Sequence, residues 1–274
     1  CVGSDAFKNR TDVASVIIPE GYEEIGGGAF QGSSIETLRI PESLWMIYSL
    51  AFANTQVKNV YIPSLNKWLG LNFSSGHANP LNGGGAKLYA NNELITRLTI
   101  PEGVTRIPNY AFYGYKKLVN VTIPEGVTSI GENALAYTGI TSAHIPSTAS
   151  VGSGAFSNSS LTTVTFAEGS KITEIPSRAF QNTHITSIKL PSTVTQIKAN
   201  AFEGCSKLPS IYLPEGVERI EGSAFKDCSV LKVIVIPATL KNVEAAAFSG
   251  AGIQTVYYKG SKSDWKKITI DSTD

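Results

Sequence analysis

The chain reads LPSIYLPEGVERIEGSAFKDC from Leu208 to Cys228, and this pattern recurs along almost its whole length. The pattern is apolar-x-x-apolar-x-apolar-Pro, a turn, apolar-x-x-Ile-x-x-x-Ala-Phe and a second turn. A regular period of about 23 residues indicates a solenoid, in which each coil buries its apolar side chains against the next. The pair Ala-Phe, once replaced by Ala-Leu, occurs ten times, at residues 6–7, 29–30, 51–52, 111–112, 134–135, 155–156, 179–180, 201–202, 224–225 and 247–248.

The first half of each repeat predicts a short β-strand. Apolar residues stand six, three and one positions before the proline, as in Leu208, Ile211 and Leu213, and none of these positions is polar in any copy. The last two are two residues apart, which is the spacing of a strand with one buried face. Proline then ends the strand because it has no backbone donor. Eleven such triplets predict eleven strands, the last one at Val256 and Tyr258.

The second half of each repeat predicts a return into the core followed by a tight corner. An Ile such as Ile220 and the Ala-Phe pair would face inward, one small and one large side chain per coil. The residue two positions past the Phe or Leu is Asn, Gly or Asp in nine of the ten copies, with Tyr137 as the exception. These residue types tolerate the left-handed backbone conformation, so we predict a left-handed corner there.

The stretch Leu208–Cys228 resembles the BspA-like, or Treponema pallidum-type, leucine-rich repeat, Leu-x-x-Ile-x-Ile-Pro-x-x-Val-x-x-Ile-Gly-x-x-Ala-Phe-x-x-Cys, nearly position for position. The resemblance implies a curved, right-handed, mainly β repeat solenoid with a parallel sheet on the concave face and an irregular or 3-10 convex side. It also implies a surface-exposed or secreted protein of a bacterium or protist that binds host or neighbouring-cell proteins. Fold alone does not determine function, so this second implication needs evidence from a site.

One interruption divides the predicted solenoid, which we treat as a single domain over 1–274. Pro63 and Pro101 are 38 residues apart, and no Ala-Phe lies between them. Residues 1–63 form the first repeats, 64–93 an inserted helix, loop and hairpin, 94–255 the second run and 256–274 a C-terminal cap. Helices are predicted at 64–71 and 262–268, and the two segments share Ser and Trp at matching positions. The alternative is that loop 72–86 protrudes for recognition, with His77 and Asn79 at its tip.

Composition argues against several classes of partner and reaction. Charged residues make up 16% of the chain and the net charge is +1, so bulk attraction to nucleic acid or anionic membrane is absent. No apolar run approaches the ~18 residues of a membrane span. Only three histidines occur, His77, His144 and His184, and none lies in a motif with a nucleophile and an acid. We therefore predict no enzyme activity, no catalytic residue, no metal and no cofactor.

The three cysteines have separate interpretations. Cys205 and Cys228 occupy the same repeat position in successive coils, and we predict two buried thiols, with a disulfide as the alternative. Cys1 invites comparison with a lipidated N-terminus, but Val2 to Phe7 already form the second half of a repeat. We therefore expect a piece of a longer array, with further sequence before Cys1.

The outward strand positions predict a binding strip. They lie two and four residues before the proline, and none of the 22 is acidic although the chain has 22 acidic residues. Tyr and Arg are favoured at interface anchors, whereas a column of Thr on a solvated sheet needs no ligand. The candidate binding residues are Arg39, Tyr61, Arg97, His144, Lys189, Tyr212 and Tyr257.

These observations favour a non-enzymatic protein-interaction or adhesion module. The resemblance implies that it is extracellular or at the cell surface and that its partners are extracellular host or neighbouring-cell proteins. The alternative is a glycan-binding accessory domain that uses Tyr61, Tyr212 and Tyr257 as sugar platforms. We expect a monomer, with self-association through the uncapped N-terminal end.

Overall fold

The computed structural model describes residues 1–271, which form a mainly β, parallel solenoid of two compact units. The first unit comprises residues 1–122 and 130–140, and the second comprises residues 123–129 and 141–274. The elements up to the unit boundary are β1 Ser15–Ile17, β2 Glu24–Ile25, β3 Thr37–Arg39, β4 Met46–Ile47, β5 Asn59–Ile62, α1 Leu65–Gly70, β6 Asn72–Phe73, a 3-10 turn Gly76–Ala78, β7 Lys87–Ala90, β8 Glu93–Leu94, β9 Arg97–Thr99, β10 Arg106–Ile107, β11 Asn120–Thr122 and β12 Ser129–Ile130.

The second unit continues the same alternation of a longer and a two-residue strand. Its elements are β13 Ser142–Ile145, β14 Ser150–Val151, β15 Thr163–Phe166, β16 Glu174–Ile175, β17 Ser187–Ile188, β18 Gln196–Ile197, β19 Ser210–Tyr212, β20 Arg219–Ile220, β21 Val233–Ile236, β22 Asn242–Val243, β23 Thr255–Tyr258, α2 Lys262–Trp265 and β24 Thr269–Ile270.

The longer strands form the predicted parallel ladder, which we call the first ladder. It pairs β1, β3, β5 and β7, then β9 and β11, in the first unit, and β13, β15 and β17, then β19, β21 and β23, in the second. Equivalent repeat positions stand opposite each other, as Ile211 does to Ile234. The alternation of inward and outward side chains is therefore the same on every rung.

The two-residue strands form a second ladder that the sequence pattern did not predict. It pairs β2, β4 and β6 in the first unit and β16, β18, β20, β22 and β24 in the second, all in parallel. The inward isoleucine of each repeat, such as Ile25 or Ile220, lies in these strands and is fully buried. Within residues 1–271, the 3-10 turn at Gly76–Ala78 is the only one, so the return side is mainly turns and short strands.

Phenylalanine rings stack along the inside of each unit. In the second unit the ring centroids of successive coils lie 5.8, 5.5, 5.3 and 5.4 Å apart from Phe156 to Phe248, and adjacent planes are within 20° of parallel. From Phe156 to Phe225 the amide of each Phe donates to the carbonyl of the alanine before the next Phe, as Phe202 N does to Ala224 O at 2.8 Å. One Ala-Phe pair per coil therefore supplies both core volume and a hydrogen bond between coils.

Two left-handed corners flank each Ala-Phe pair. The predicted corner, two residues past the Phe or Leu, has positive φ in all ten copies, including Tyr137 at 59°. A second one, directly before the Ala, also has positive φ in all ten copies, although its residues include Leu50 and Arg178. The amides of Arg178, Phe180 and Asn182 all donate to the next coil. These hydrogen bonds offset the steric cost of the left-handed conformation, which is about 1–2 kcal/mol per non-glycine residue.

We expect the change Ala246→Gly to stabilise the protein by up to about 1 kcal/mol. Ala246 has φ of 57°, and glycine removes the steric cost of that conformation while adding some entropy to the unfolded chain. Its neighbour Ala247 is fully buried, so Ala247→Gly is the matched control and should destabilise by about 1 kcal/mol or more. Chemical denaturation measures both, and a loss of stability in both variants would contradict this account.

The thiols of Cys205 and Cys228 are free and buried, as predicted, whereas Cys1 is exposed. Each buried thiol donates to a phenylalanine carbonyl of the preceding coil, Cys205 Sγ to Phe180 O and Cys228 Sγ to Phe202 O, both at 3.1 Å. Burial raises the pKa of Cys205 to about 11 and raises that of Cys228 as well. These side chains are structural, because the neutral thiol is the form that this environment favours.

The inserted segment contributes a rung to the first ladder. Helix α1 begins after the N-cap Ser64, whose hydroxyl accepts from Lys67 N at 3.1 Å, and β7 and β8 form the predicted hairpin around Asn91 and Asn92. Strand β7 also pairs in parallel with β5. Within residues 1–271 all eleven strands that the triplets predict are present, and β7 adds a twelfth parallel strand that the repeat pattern did not predict.

The loop of this insertion does not protrude, so that alternative was wrong for Asn79. Its side chain is fully buried and donates to Tyr110 O at 2.7 Å and Ala111 O at 2.9 Å, while His77 is exposed. The buried indole of Trp68 donates to the same Ala111 O at 2.9 Å. In regular coils a backbone amide of the preceding coil donates to the alanine carbonyl. Here Ala78 N donates to Ser75 O instead, and the side chains of Asn79 and Trp68 donate to Ala111 O in its place.

The C-terminal segment repeats this design in part. Ser261 caps α2, Trp265 contacts Tyr258 edge-to-face at 5.1 Å between ring centroids, and β24 extends the second ladder. Trp265 remains 37% exposed and Val256 45% exposed, whereas Trp68 and Val60 are fully buried. The capping role of residues 256–274 stays a prediction, and residues 272–274 lie outside the described part of the chain. Neither helix within residues 1–271 is long enough to cross a lipid bilayer.

Candidate binding surface

The outward side chains of the first ladder form the surface that the strand pattern predicted, and we call this the outward strip. In the first unit, opposite positions on β3, β5 and β7 place Arg39, Tyr61 and Tyr89 in one row. The guanidinium carbon of Arg39 lies 4.2 Å from the centroid of the Tyr61 ring. Tyr89 stacks on Tyr61 at 4.8 Å between centroids and 13° between planes. Strand β5 lies between the other two, so both faces of the Tyr61 ring are covered.

A shallow groove runs beside this row. It encloses about 450 Å³ and is lined by the ends of β1, β3 and β5, their prolines and the hairpin turn. Ile17 forms one wall and is 68% exposed, which is unusual for an isoleucine. Asn91 and Asn92, in the hairpin turn, and Glu20, in the turn after β1, also line the groove.

Glu20 shows how the turns after the prolines bear acidic groups. Its carboxylate accepts from Glu42 N at 2.9 Å and Ser43 N at 3.1 Å, and these backbone hydrogen bonds, the one from Glu42 foremost, lower the pKa of Glu20. The remaining candidate of this unit, Arg97, is exposed on β9 opposite Asn120, on the separate β9–β11 ladder.

The four candidates of the second unit do not form a comparable row. Lys259 Nζ lies 4.4 Å from the Tyr212 ring centroid, bonds to its hydroxyl and contacts Glu215 Oε1 at 2.6 Å. Tyr257 is 59% exposed and is separated from Tyr212 by Val235. Lys189 is exposed beyond the end of β17.

His144 lies between a hydroxyl and a carboxylate. Its Nδ1 is 2.9 Å from Thr165 Oγ1 and its Nε2 is 3.9 Å from Glu125 Oε1. Both side chains of the His–Glu pair are more than half exposed, on an open sheet face. Nucleophilic catalysis needs a site that excludes water and holds donors for the developing charge. Thr165, His144 and Glu125 are residue types that such catalysis uses, but here they lie open to solvent. Within residues 1–271, no three His, Cys, Asp or Glu side chains are grouped so as to hold a metal ion.

Sequence reasoning missed Tyr89 and Lys259, which contact the predicted residues most closely. Tyr89 lies in the insertion, where the repeat pattern is lost, although Lys87 to Ala90 alternate exposed and buried as a strand should. Lys259 lies beyond the last triplet, in a turn that carries no strand signal. The contacts of Tyr89 with Tyr61 and of Lys259 with Tyr212 depend on how neighbouring strands pair. The repeat pattern does not specify that pairing in the insertion or after the last triplet.

Comparison with known proteins agrees with this architecture. The profile of the BspA type leucine rich repeat region matches residues 1–75, 85–208 and 149–269, with six copies. The chain belongs to this family. No curated protein matches the sequence of this BspA-type chain.

Solved structures of similar proteins come from several bacteria. A leucine-rich repeat protein from Eubacterium ventriosum ATCC 27560 is 21% identical over 93% of this BspA-type chain and 81% of that chain, with a TM-score of 0.63, which supports the repeat fold. A leucine-rich cell surface protein from Faecalibacterium prausnitzii A2-165 is 23% identical over 94% and 91% of the two chains, with a TM-score of 0.49. The pneumococcal vaccine antigen PcpA is 17% identical over 96% and 74%, with a TM-score of 0.46.

Proposed function

We propose that this BspA-type chain is a non-enzymatic protein-interaction module that acts outside the cell or at its surface, and that it binds extracellular proteins of a host or a neighbouring cell. The observation that carries the proposal is the row of Arg39, Tyr61 and Tyr89 beside an open groove. Arg and Tyr are the residues that dominate the energetics of protein interfaces. Stacking holds them in one arrangement, so binding a partner costs little side-chain entropy.

The same geometry favours a protein partner over a glycan. A sugar platform needs a ring face that is open to stack against the pyranose. Tyr61 has both faces covered, and the ammonium group of Lys259 lies over the ring of Tyr212. Of the three predicted platforms, Tyr257 alone has no ring or cation contact among the described residues. In the row, the hydroxyl groups of Tyr61 and Tyr89 and the guanidinium of Arg39 remain for hydrogen bonds with a polypeptide.

The proposal predicts binding that depends on Tyr61. In surface plasmon resonance against a panel of immobilised matrix proteins, with a glycan array run in parallel, we expect a protein ligand whose affinity falls at least about tenfold in Tyr61→Ala, as for an interface hot spot. The matched control is Tyr48→Ala, because Tyr48 is an exposed tyrosine directly after β4 and lies outside the row. Thermal unfolding of both variants checks that the fold is kept. Binding to glycans and to no protein would reverse the order of the two candidate functions.

A further inference from the structure

Arg39 is a pre-positioned cation without a counter-ion. Its side chain is exposed and held against the Tyr61 ring at 4.2 Å, and within residues 1–271 no carboxylate lies at ion-pair distance from it. Lys58, directly before β5, is by contrast paired with Glu36 at 2.5 Å. An arginine fixed in this way presents its planar donors to a carboxylate, which it can bind through two parallel hydrogen bonds.

The groove beside Arg39 is apolar and suits an extended chain. Its walls and floor include Ile17 and the prolines that end β1, β3 and β5, namely Pro19, Pro41 and Pro63. Neighbouring strands lie about 4.8 Å apart, so the groove spans roughly 10–15 Å from Ile17 to the hairpin turn. That length accommodates about four residues of extended polypeptide.

The charge around the groove determines the orientation of such a segment. The outward positions of the first unit's parallel ladder strands carry Arg39, Lys87 and Arg97 and no acidic residue. The turn after β1 carries Glu20, which also lines the groove and whose carboxylate is held ionised by the backbone amides of Glu42 and Ser43. An acidic side chain of a bound segment would therefore be attracted toward the strip and repelled from the turns.

We propose that this groove binds an extended acidic segment of the partner protein, with a carboxylate on the Arg39 guanidinium and an apolar side chain over Ile17 and Pro41. The proposal rests on the protein-binding function above and names the chemistry of the partner. An aspartate or glutamate two residues from a leucine-like residue satisfies both halves of the site, because every second side chain of an extended segment lies on the same face.

The test uses the whole chain and two fluorescein-labelled heptapeptides, one with glutamate and leucine two residues apart and serine between them, and one with glutamine in place of glutamate. In fluorescence anisotropy we expect the glutamate peptide to bind about tenfold more tightly, the discrimination of one charge-assisted pair. Arg39→Ala should abolish this difference, and Arg39→Lys should retain only part of it because lysine cannot bind in a bidentate manner.

The control is Arg106→Ala, which removes an exposed arginine of the second ladder in the same unit. Equal affinity for the two peptides, or an equal loss in Arg106→Ala, would overturn the proposal. Arg39-dependent binding of a heparin fragment without peptide binding would assign the site to an anionic glycan instead. If a matrix protein binds but Arg39→Ala leaves its affinity unchanged, the acidic-segment site fails while the protein-interaction function stands.

Discussion

Phe202→Ala is expected to lower the free energy of unfolding by about 3–5 kcal/mol. The Phe202 ring is fully buried, and its centroid lies 5.5 Å from that of Phe180 and 5.3 Å from that of Phe225. Removing it leaves a cavity that the rigid stack cannot close, because both neighbours are held by hydrogen bonds between coils. Urea denaturation followed by circular dichroism measures the loss.

The control for Phe202→Ala is Ser187→Ala, an exposed position of the first ladder in the same unit. It should change stability by less than about 0.5 kcal/mol. Comparable effects of the two changes would mean that the inward and outward faces are wrongly assigned.

Asn79→Ala is expected to cost about 3 kcal/mol, because the side chain makes three hydrogen bonds, two of them buried and one partly buried. Its amide nitrogen donates to Tyr110 O and Ala111 O, and its carbonyl oxygen accepts from Leu81 N at 2.8 Å. Alanine removes all three and leaves the Leu81 amide buried without that acceptor. The same denaturation measurement applies.

His77→Ala is the matched control for Asn79→Ala, since the two residues lie in one segment and His77 is exposed. We expect a change within about 0.5 kcal/mol. Equal and small effects would indicate that the loop is loosely attached, as the recognition-loop hypothesis required. They would also mean that the hydrogen bonds of Trp68 and Asn79 to Ala111 O, which we call the joint at Ala111, contribute little to stability.

Repeat chemistry explains why most of the fold was predictable. Each strand has its apolar triplet, its terminating proline and its corner residue, and these local signals agree with one another in almost every copy. The second corner was not predictable, because residues as different as Leu50, Arg178 and Ala246 occupy it. There the hydrogen bonds to the next coil impose a backbone conformation that the side chains do not favour.

The insertion was predictable in its parts and not in its placement. Ser64 signals a helix start, and Asn91 and Asn92 signal a hairpin turn, with φ of 50° and 64°. That β7 would pair with β5 depends on how the buried Trp68 and Asn79 fill the space of a missing Ala-Phe pair, which is a property of the packed core. The repeat count alone therefore did not predict that β7 would add a rung.

The candidate surface was also predictable in part: the sequence indicated some of its residues but not the contacts that cover them. Arg39 and Tyr61 follow from the outward strand positions, because rungs in register bring them together. The covering of the Tyr61 and Tyr212 rings depends on Tyr89 and Lys259, which lie outside the repeat pattern. Covered ring faces are the observation that favours a protein over a sugar, so the sequence alone could not choose between the two.

The joint at Ala111 also has a consequence for the order of folding events. Regular coils bond to neighbours one repeat away, as Ser43 does to Glu20 over 23 residues. The Trp68 indole reaches Ala111 over 43 residues, and closing a longer loop costs more chain entropy before any contact repays it. In a solenoid, structure nucleates in one coil and propagates to the next. This joint is therefore where propagation through the first unit should be slowest, by a small factor, because each doubling of loop length costs only about 0.6 kcal/mol.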